Sequence, residues 1–575
     1  MEVEMVRSPR SPWLLTVILA VAGIACSPRP SAKDAAQSTA QGAEAAQPVT
    51  VEPIRLLPAA ERGEFHRPII TRVPEAQQFF DQGLVFTYGF DHAEAIRSFA
   101  RAAELDPSCA MAYWGMAFAA GPHINNPFMD DEANRSAHEA SKKAMALRSE
   151  ASEVEVALIE AVARRYAWPP PEDRRSLDLA FAEAMRDAYR QFPEDPDVGA
   201  LCAEAMMDLR PWDLWTGDGQ PRPETPEIVG ILERTLELYP DHPQANHLYI
   251  HAIEASPHPE KGIAAADRLR ARIPAAGHLV HMPAHIDIRL GRYADAIAAN
   301  ERGIAIDRGR VERAGAGGFY AVYRAHNYHF LVYAAMFDGQ SRAAGAAARQ
   351  LLDVMPLEVV RGLPDFLDGF LATPYHVRVR FGQWSEMLAE PEPPADLPVT
   401  HAFWRYGRGI ALCALARVEE ATREREAFLA ELERVPETSY IGNNPSSVVL
   451  TVARTMLDGE WEFRRGNFDA AFAHLERAVV MDDSLRYDEP WGWFQPVRHA
   501  LGALLLEQGR VAEAEAVYRE DLRRHPENGW SLQGLAECLE RRGETAEAAR
   551  VTARFNEVWA RADVKIKASC FCRRV

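Results

Sequence analysis

A period of 34 residues, written in glycine, aromatic, alanine and proline, constrains this chain more than any other feature of its sequence. Gly502, Gly509 and Ala514 are answered 34 residues on by Ala536, Gly543 and Ala548, with Leu505, Tyr518, Pro526 and Leu535 filling the same frame. Phe79, Gly83, Ala95, Phe99, Ala102 and Pro107 repeat the order near the other end, and Gly466, Phe468, Ala471 and Ala478 give a further copy. A unit of this size is one supersecondary element that buries its apolar face only against its neighbours, so it implies a stack. At 575 residues the chain exceeds what one compact core organises, and a stack escapes that limit by adding units. The composition is 47% hydrophobic, with helix formers far outweighing β-branched runs, so the units are helical. Small residues at fixed offsets let helices approach closely, and glycine fits the turn between them.

These motifs resemble the tetratricopeptide repeat. The resemblance covers most of residues 75–560 and is sharpest at both ends. It implies an all-α fold, a right-handed superhelical solenoid of about ten to twelve helical pairs, whose first helices line a concave groove. Characterised relatives are mostly protein-interaction scaffolds, but a fold alone does not license a function. Pro391-Glu392-Pro393-Pro394 divides an N-terminal array at 57–390 from a C-terminal array at 391–564. A tail at 565–575 carries Cys570-Phe571-Cys572, a soft-metal ligand pair, a redox pair or an inert end. Cys109, Cys202, Cys413 and Cys538 fall inside helical patterns and read as small core residues.

Between the clear copies the array is interrupted. Pro240, Pro274 and Pro356 hold the closing proline position, and Gly291 and Gly339 the mid-turn glycine. Long loops rich in aromatic residues, glycine or proline are expected at Gly121–Pro127, Arg210–Pro223 and Asp307–Gly318. Half of the 18 histidines lie between His242 and His329. The resemblance places Gln244, His247, His251 and Glu254 of one unit on the groove side. It does the same for His278, His281, His285 and Arg289 of the next, and His326, His329 and Tyr333 of a third.

One helical turn separates His247 from His251 and His281 from His285, about 5–6 Å between Cβ atoms. Neighbouring helix axes pack about 8–10 Å apart, so the two pairs make the corners of a rectangle that imidazoles can close around one or two metal ions. Seven histidines are therefore the candidate ligands: His247, His251, His278, His281, His285, His326 and His329. Imidazole content points to zinc or copper. Glu204, Asp208 and Glu254 are the candidate acid/base residues, and Gln244, Arg289, Tyr333, Trp212 and His123 complete the expected groove. Pro283 interrupts the second pair, either kinking its helix or opening a late one. A polar peptide-binding groove explains the same histidines without metal.

The first 26 residues set Arg7 and Arg10 before an apolar run from Trp13 to Ala25, a secretory signal too short to span a bilayer comfortably. Cys26 directly after small residues resembles a bacterial lipoprotein signal. That implies lipidation of Cys26 and a place on the periplasmic side of the outer membrane, against ordinary cleavage and a free periplasmic chain. Residues 27–56 are too poor in large apolar side chains to fold and read as a tether. A net charge of −19 with no basic stripe argues against nucleic acid as a partner, leaving an envelope protein, a peptide or a small molecule. No phosphate loop, nucleophile elbow or H-E-x-x-H motif is present. Three readings follow: a metal-binding envelope protein, an interaction scaffold without metal, and a metal-dependent hydrolase or oxidoreductase.

Overall fold

In the computed structural model, residues 54–270 and 275–574 are described. Cys26, the signal segment, most of the tether and Pro274 lie outside them. About 69% of the structure is helical, and its strands are one short antiparallel pairing of Tyr440–Ile441 and Asn444–Pro445 among the described residues. Successive helices pack as antiparallel pairs, and each pair stacks on the next, giving an all-α tetratricopeptide-type solenoid. No helix among them is long and apolar enough to cross a membrane.

The repeat residues explain the stacking. Phe99 fills the space between Gly83 and Gly115, where an added Cβ would lie 2.5 Å from its ring on either side. Tyr518 does the same between Gly502 and Gly534, at 2.5 and 2.2 Å. One aromatic ring thus serves two units, and the absence of a side chain on each flank is what admits it. The mid-turn glycines Gly291 and Gly339 adopt φ of +74° and +70°, which a side chain resists.

Two expectations change. The stretch from Asp307 is not a loop: the helix Tyr293–Ala314 runs through it. Its polar residues are bonded across the fold, Asp307 accepting from Tyr320 Oη and Asn327 Nδ2 at 2.8 Å, and Arg310 gripping Asp91 at 2.9 and 3.1 Å. Pro283 is resolved as both alternatives at once. A first helix, Gly277–His281, ends at Met282, and Pro283 opens a second, Pro283–Arg289, at the first-turn position where its missing N–H costs nothing.

The C-terminal units fold back on the earlier ones. Trp530 Nε1 donates to the Met336 carbonyl at 2.9 Å, Arg561 pairs with Asp338 at 2.8 Å, and Asp563 accepts from the backbone of Ser341 and Arg342 at 2.8 and 3.0 Å. Phe494 and Trp530 sit in one apolar core with Phe330 and Phe337. The tail is packed, not free: Cys570 and Cys572 form a disulfide, and Ser569 bonds both Tyr518 Oη and the His499 carbonyl at 2.7 Å. The four helical cysteines are buried and unpaired.

Candidate metal centre

Three packed helical segments carry the centre: Pro243–Ile253, the broken pair Gly277–His281 and Pro283–Arg289, and Tyr320–Phe337. They bring six of the seven predicted histidines together as two sets of three. His247, His251 and His278 form one set; His281, His285 and His326 form the other. Within each set the ligand nitrogens lie within 4.8 Å of one another. His251 and His285 abut across the boundary, with ring centroids 5.4 Å apart.

Hydrogen bonding fixes which nitrogen four of the six rings, His247, His251, His281 and His285, turn inward. Asn300 donates its amide to the Ala296 carbonyl, so its oxygen faces His281, which donates from Nδ1 at 2.8 Å. Gln244 donates to Glu204 at 3.0 Å, so its oxygen faces His247 Nδ1 at 3.3 Å. The two oxygens of Glu254 accept one bond each, from His251 Nδ1 and from His285 Nδ1, both at 2.8 Å. With Nδ1–H committed outward, the Nε2 atoms converge. His281 and His285 stand 2.7 Å apart at Nε2, His281 and His326 3.1 Å, and His247 and His278 3.1 Å. His251 Nε2 finds no partner in the protein. Outer carboxylates and amides that hold imidazoles in this tautomer are the second half of a metal site. Nitrogens about 2.0–2.1 Å from a tetrahedral ion stand about 3.3 Å apart, so His281 and His285 need to part by about 0.6 Å and the other two close pairs by about 0.2 Å.

The electrostatics repeat in both sets. Burial and neighbouring imidazoles push His247, His278, His281 and His326 well below the usual histidine value, leaving them neutral with lone pairs available. Burial works against charge on His251 and His285 too, but Glu254 and Glu489 outweigh it, raising His251 and taking His285 up to about 10. Each set is thus two neutral imidazoles and one that favours positive charge, whether from a proton or from a metal ion.

Glu489 and Tyr487 come from the C-terminal array and were not anticipated. Glu489 approaches His285 Nδ1 at 3.0 Å and His251 Nδ1 at 3.5 Å, and Tyr487 Oη donates to Glu254 at 2.7 Å. Glu489 and Glu254 also form a His₂Glu₂ grouping with His251 and His285. Their signal was the Arg-Tyr-Asp-Glu-Pro-Trp-Gly-Trp stretch at 486–493, another loop dense in proline, glycine and aromatics.

The remaining candidates divide. His329 turns away, its ring between Phe370 and Phe494. Tyr333 packs on Phe337 and Phe494, and the Arg289 guanidinium lies over Tyr487. Trp212 stands edge-on to His251 at 5.1 Å, while His123 packs on Phe90, which in turn covers His247 and His278. Glu204, raised by burial to about 7, reaches the centre only through Gln244. Asp208 is bound to Arg165 at 2.7 Å. Neither points a carboxylate at the imidazoles, so of the three acid/base candidates only Glu254 touches them.

Fold and centre together define a helical-repeat solenoid with a buried polyhistidine cluster. Residues 505–556 match the tetratricopeptide repeat family model. Solved structures similar to it include the human IFIT1 dimer with m7Gppp-AAAA, at 13% identity over 86% of this chain and 92% of that one, with a TM-score of 0.32. Yeast Tom70 is similar at 11% identity over 84% and 90%, with a TM-score of 0.27. Scores this low carry no argument about function. No curated protein matches the sequence.

Proposed function

We propose that this tetratricopeptide scaffold holds a buried centre of two transition-metal ions, one in each tri-histidine set, with Glu254 linking the two from outside. The observation that carries the reading is the convergence of Nε2 atoms whose Nδ1–H groups are committed to fixed acceptors. A polar groove for peptides does not need six imidazoles facing one another behind buried walls. All-nitrogen sets of this kind suit copper or zinc. Export and attachment through Cys26 belong to the same proposal and rest on the sequence of residues 1–26.

The test is elemental analysis of protein purified without a histidine tag or chelator, beside a variant with His247, His251, His281 and His285 changed to alanine. Two metal ions per chain in the parent, and none in a variant that keeps its helical circular dichroism, is the expected result. A metal-free parent that takes up neither zinc nor copper leaves the interaction scaffold as the function.

A further inference from the structure

A small cavity of about 20 Å³ opens against the centre, lined by His251, Glu254, Ala255, Tyr487 and the apolar side chains of Trp212 and Leu214. His251, whose inward Nε2 has no partner among the described residues, is one of the lining residues. Glu254 belongs to it as well, and Glu254 accepts from one imidazole of each set, His251 and His285, so the cavity adjoins the residues at the boundary of the two sets. Its volume admits about one water-sized molecule. A diatomic gas is of that size.

The walls are held in place at a cost. Trp212 and Phe90 are two of four non-glycine residues with left-handed backbones among the described residues, at φ of +60° and +56°. Both lay an aromatic ring on the first set: Trp212 on His251 at 5.1 Å, Phe90 on His247 and His278 at 4.6 and 5.2 Å. Bulky side chains rarely adopt that conformation, and it concentrates where function over-determines the backbone. Trp215 pins the same loop by donating Nε1 to the Ala252 carbonyl at 2.7 Å. The two rings cover the imidazoles of the first set on two sides.

Resting on the two-metal reading, we infer that the ions are copper and the ligand is dioxygen, admitted through the Trp212 cavity and bound between the two tri-histidine sets. Imidazoles in threes, with no thiolate and no carboxylate among the inward donors, suit copper, which also heads the affinity order for nitrogen sites. Copper is one of the few protein-bound groups that handle dioxygen. Each cuprous ion gives up one electron, dioxygen takes both and becomes peroxide held by two cupric ions, and the O–O bond is retained. No proton is consumed, so the step asks no acid of the shell.

The experiment loads the full chain anaerobically with cuprous ion, measures bound copper, and then follows oxygen uptake with an electrode and the new absorption of the oxidised centre. Uptake of one dioxygen for each pair of copper ions is expected. Ala255→Leu, which fills the cavity from a residue that touches no imidazole bond, should keep its copper and lose the uptake. Carbon monoxide, read by infrared on the reduced parent, serves as a second diatomic probe that needs no variant. Two copper ions bound with no uptake and no carbon monoxide band overturns the inference while leaving the metal centre standing; so does uptake unchanged in a copper-loaded Ala255→Leu. Failure to bind copper at all strikes the two-metal reading itself.

Discussion

His499 in the C-terminal array and His251 in the histidine cluster are both buried, both on inner helices, and differ in one respect. His499 is saturated: Nε2 donates to Asp521 at 2.8 Å and Nδ1 accepts from Arg380 at 2.9 Å. His251 spends Nδ1 on Glu254 and leaves Nε2 facing an unoccupied direction among five other imidazoles. A buried histidine is therefore no sign of a site by itself. The sign is the nitrogen for which the protein has made no provision.

The comparison breaks most sharply on metal content. Replacing His281 and His326 by alanine should remove one metal ion and leave one, because the first set keeps its three rings; loss of both would mean that the sets fold as one site. Glu254→Gln touches both sets and should weaken each by about 10–100-fold, the usual cost of an outer carboxylate. His499→Ala should leave metal content unchanged. Elemental analysis and competitive chelator titration read all three.

Stability reverses the ranking. His499→Ala leaves the buried Arg380 guanidinium without its hydrogen bond, while Asp521 keeps those from Asn528 and Ser531, and should cost about 1–3 kcal/mol in chemical denaturation, as a buried donor left unmade does. If it costs under about 1 kcal/mol, the Arg380–His499–Asp521 relay is not what holds that array, and the contrast with His251 loses its structural half.

Much of this was legible from residue spacing. The repeat frame located the stacked helices because one aromatic per unit needs glycine on both sides, and that requirement survives in sequence as Gly83, Phe99, Gly502 and Tyr518. The same frame put six true neighbours on one face, since groove position is set by helix phase. What it could not supply was closure. Glu489 and Tyr487 reach Glu254 across more than two hundred residues, a contact fixed by superhelical curvature, which no local pattern encodes. His329 failed for a related reason: it shares the phase of His326, but the Phe494 it packs against arrives from the distant array. The helix through Asp307 was hidden because its glycines suggested a loop, while the bonds that stabilise it lie at Asp91, Tyr320 and Asn327.

The C-terminal array also buries carboxylates. Glu460 is held up to about 7 by burial, only partly offset by Arg464. A folded-state value above the unfolded value of 4.5 means that the folded chain keeps a proton that the unfolded chain has lost. Stability from this group is then full below about pH 4.5, falls as pH rises toward about 7, and is flat above, a loss of roughly 3 kcal/mol. Glu460→Gln should remove that slope and stabilise the protein at pH 8, read as the midpoint of urea unfolding across pH. A slope that survives the substitution assigns the pH dependence to other buried acids.

The smallest effect tests whether the two ends of the stack are equivalent. Gly83→Ala and Gly502→Ala each drive a Cβ to 2.5 Å from the shared ring, Phe99 in one case and Tyr518 in the other. Overpacking of this kind costs about 1–3 kcal/mol, so the two variants should lose similar stability. They should differ in one consequence. Phe99 carries no polar atom, whereas Tyr518 donates to Ser569, and Ser569 in turn donates to the His499 carbonyl. A displaced Tyr518 breaks the first link and loosens the segment that holds the Cys570–Cys572 disulfide against the array. Limited proteolysis should therefore nick the tail of Gly502→Ala and spare that of Gly83→Ala; equal protection in both would show that the tail is held by Arg573 and Glu537 instead, whose paired contacts at 2.6 and 2.9 Å do not pass through the ring.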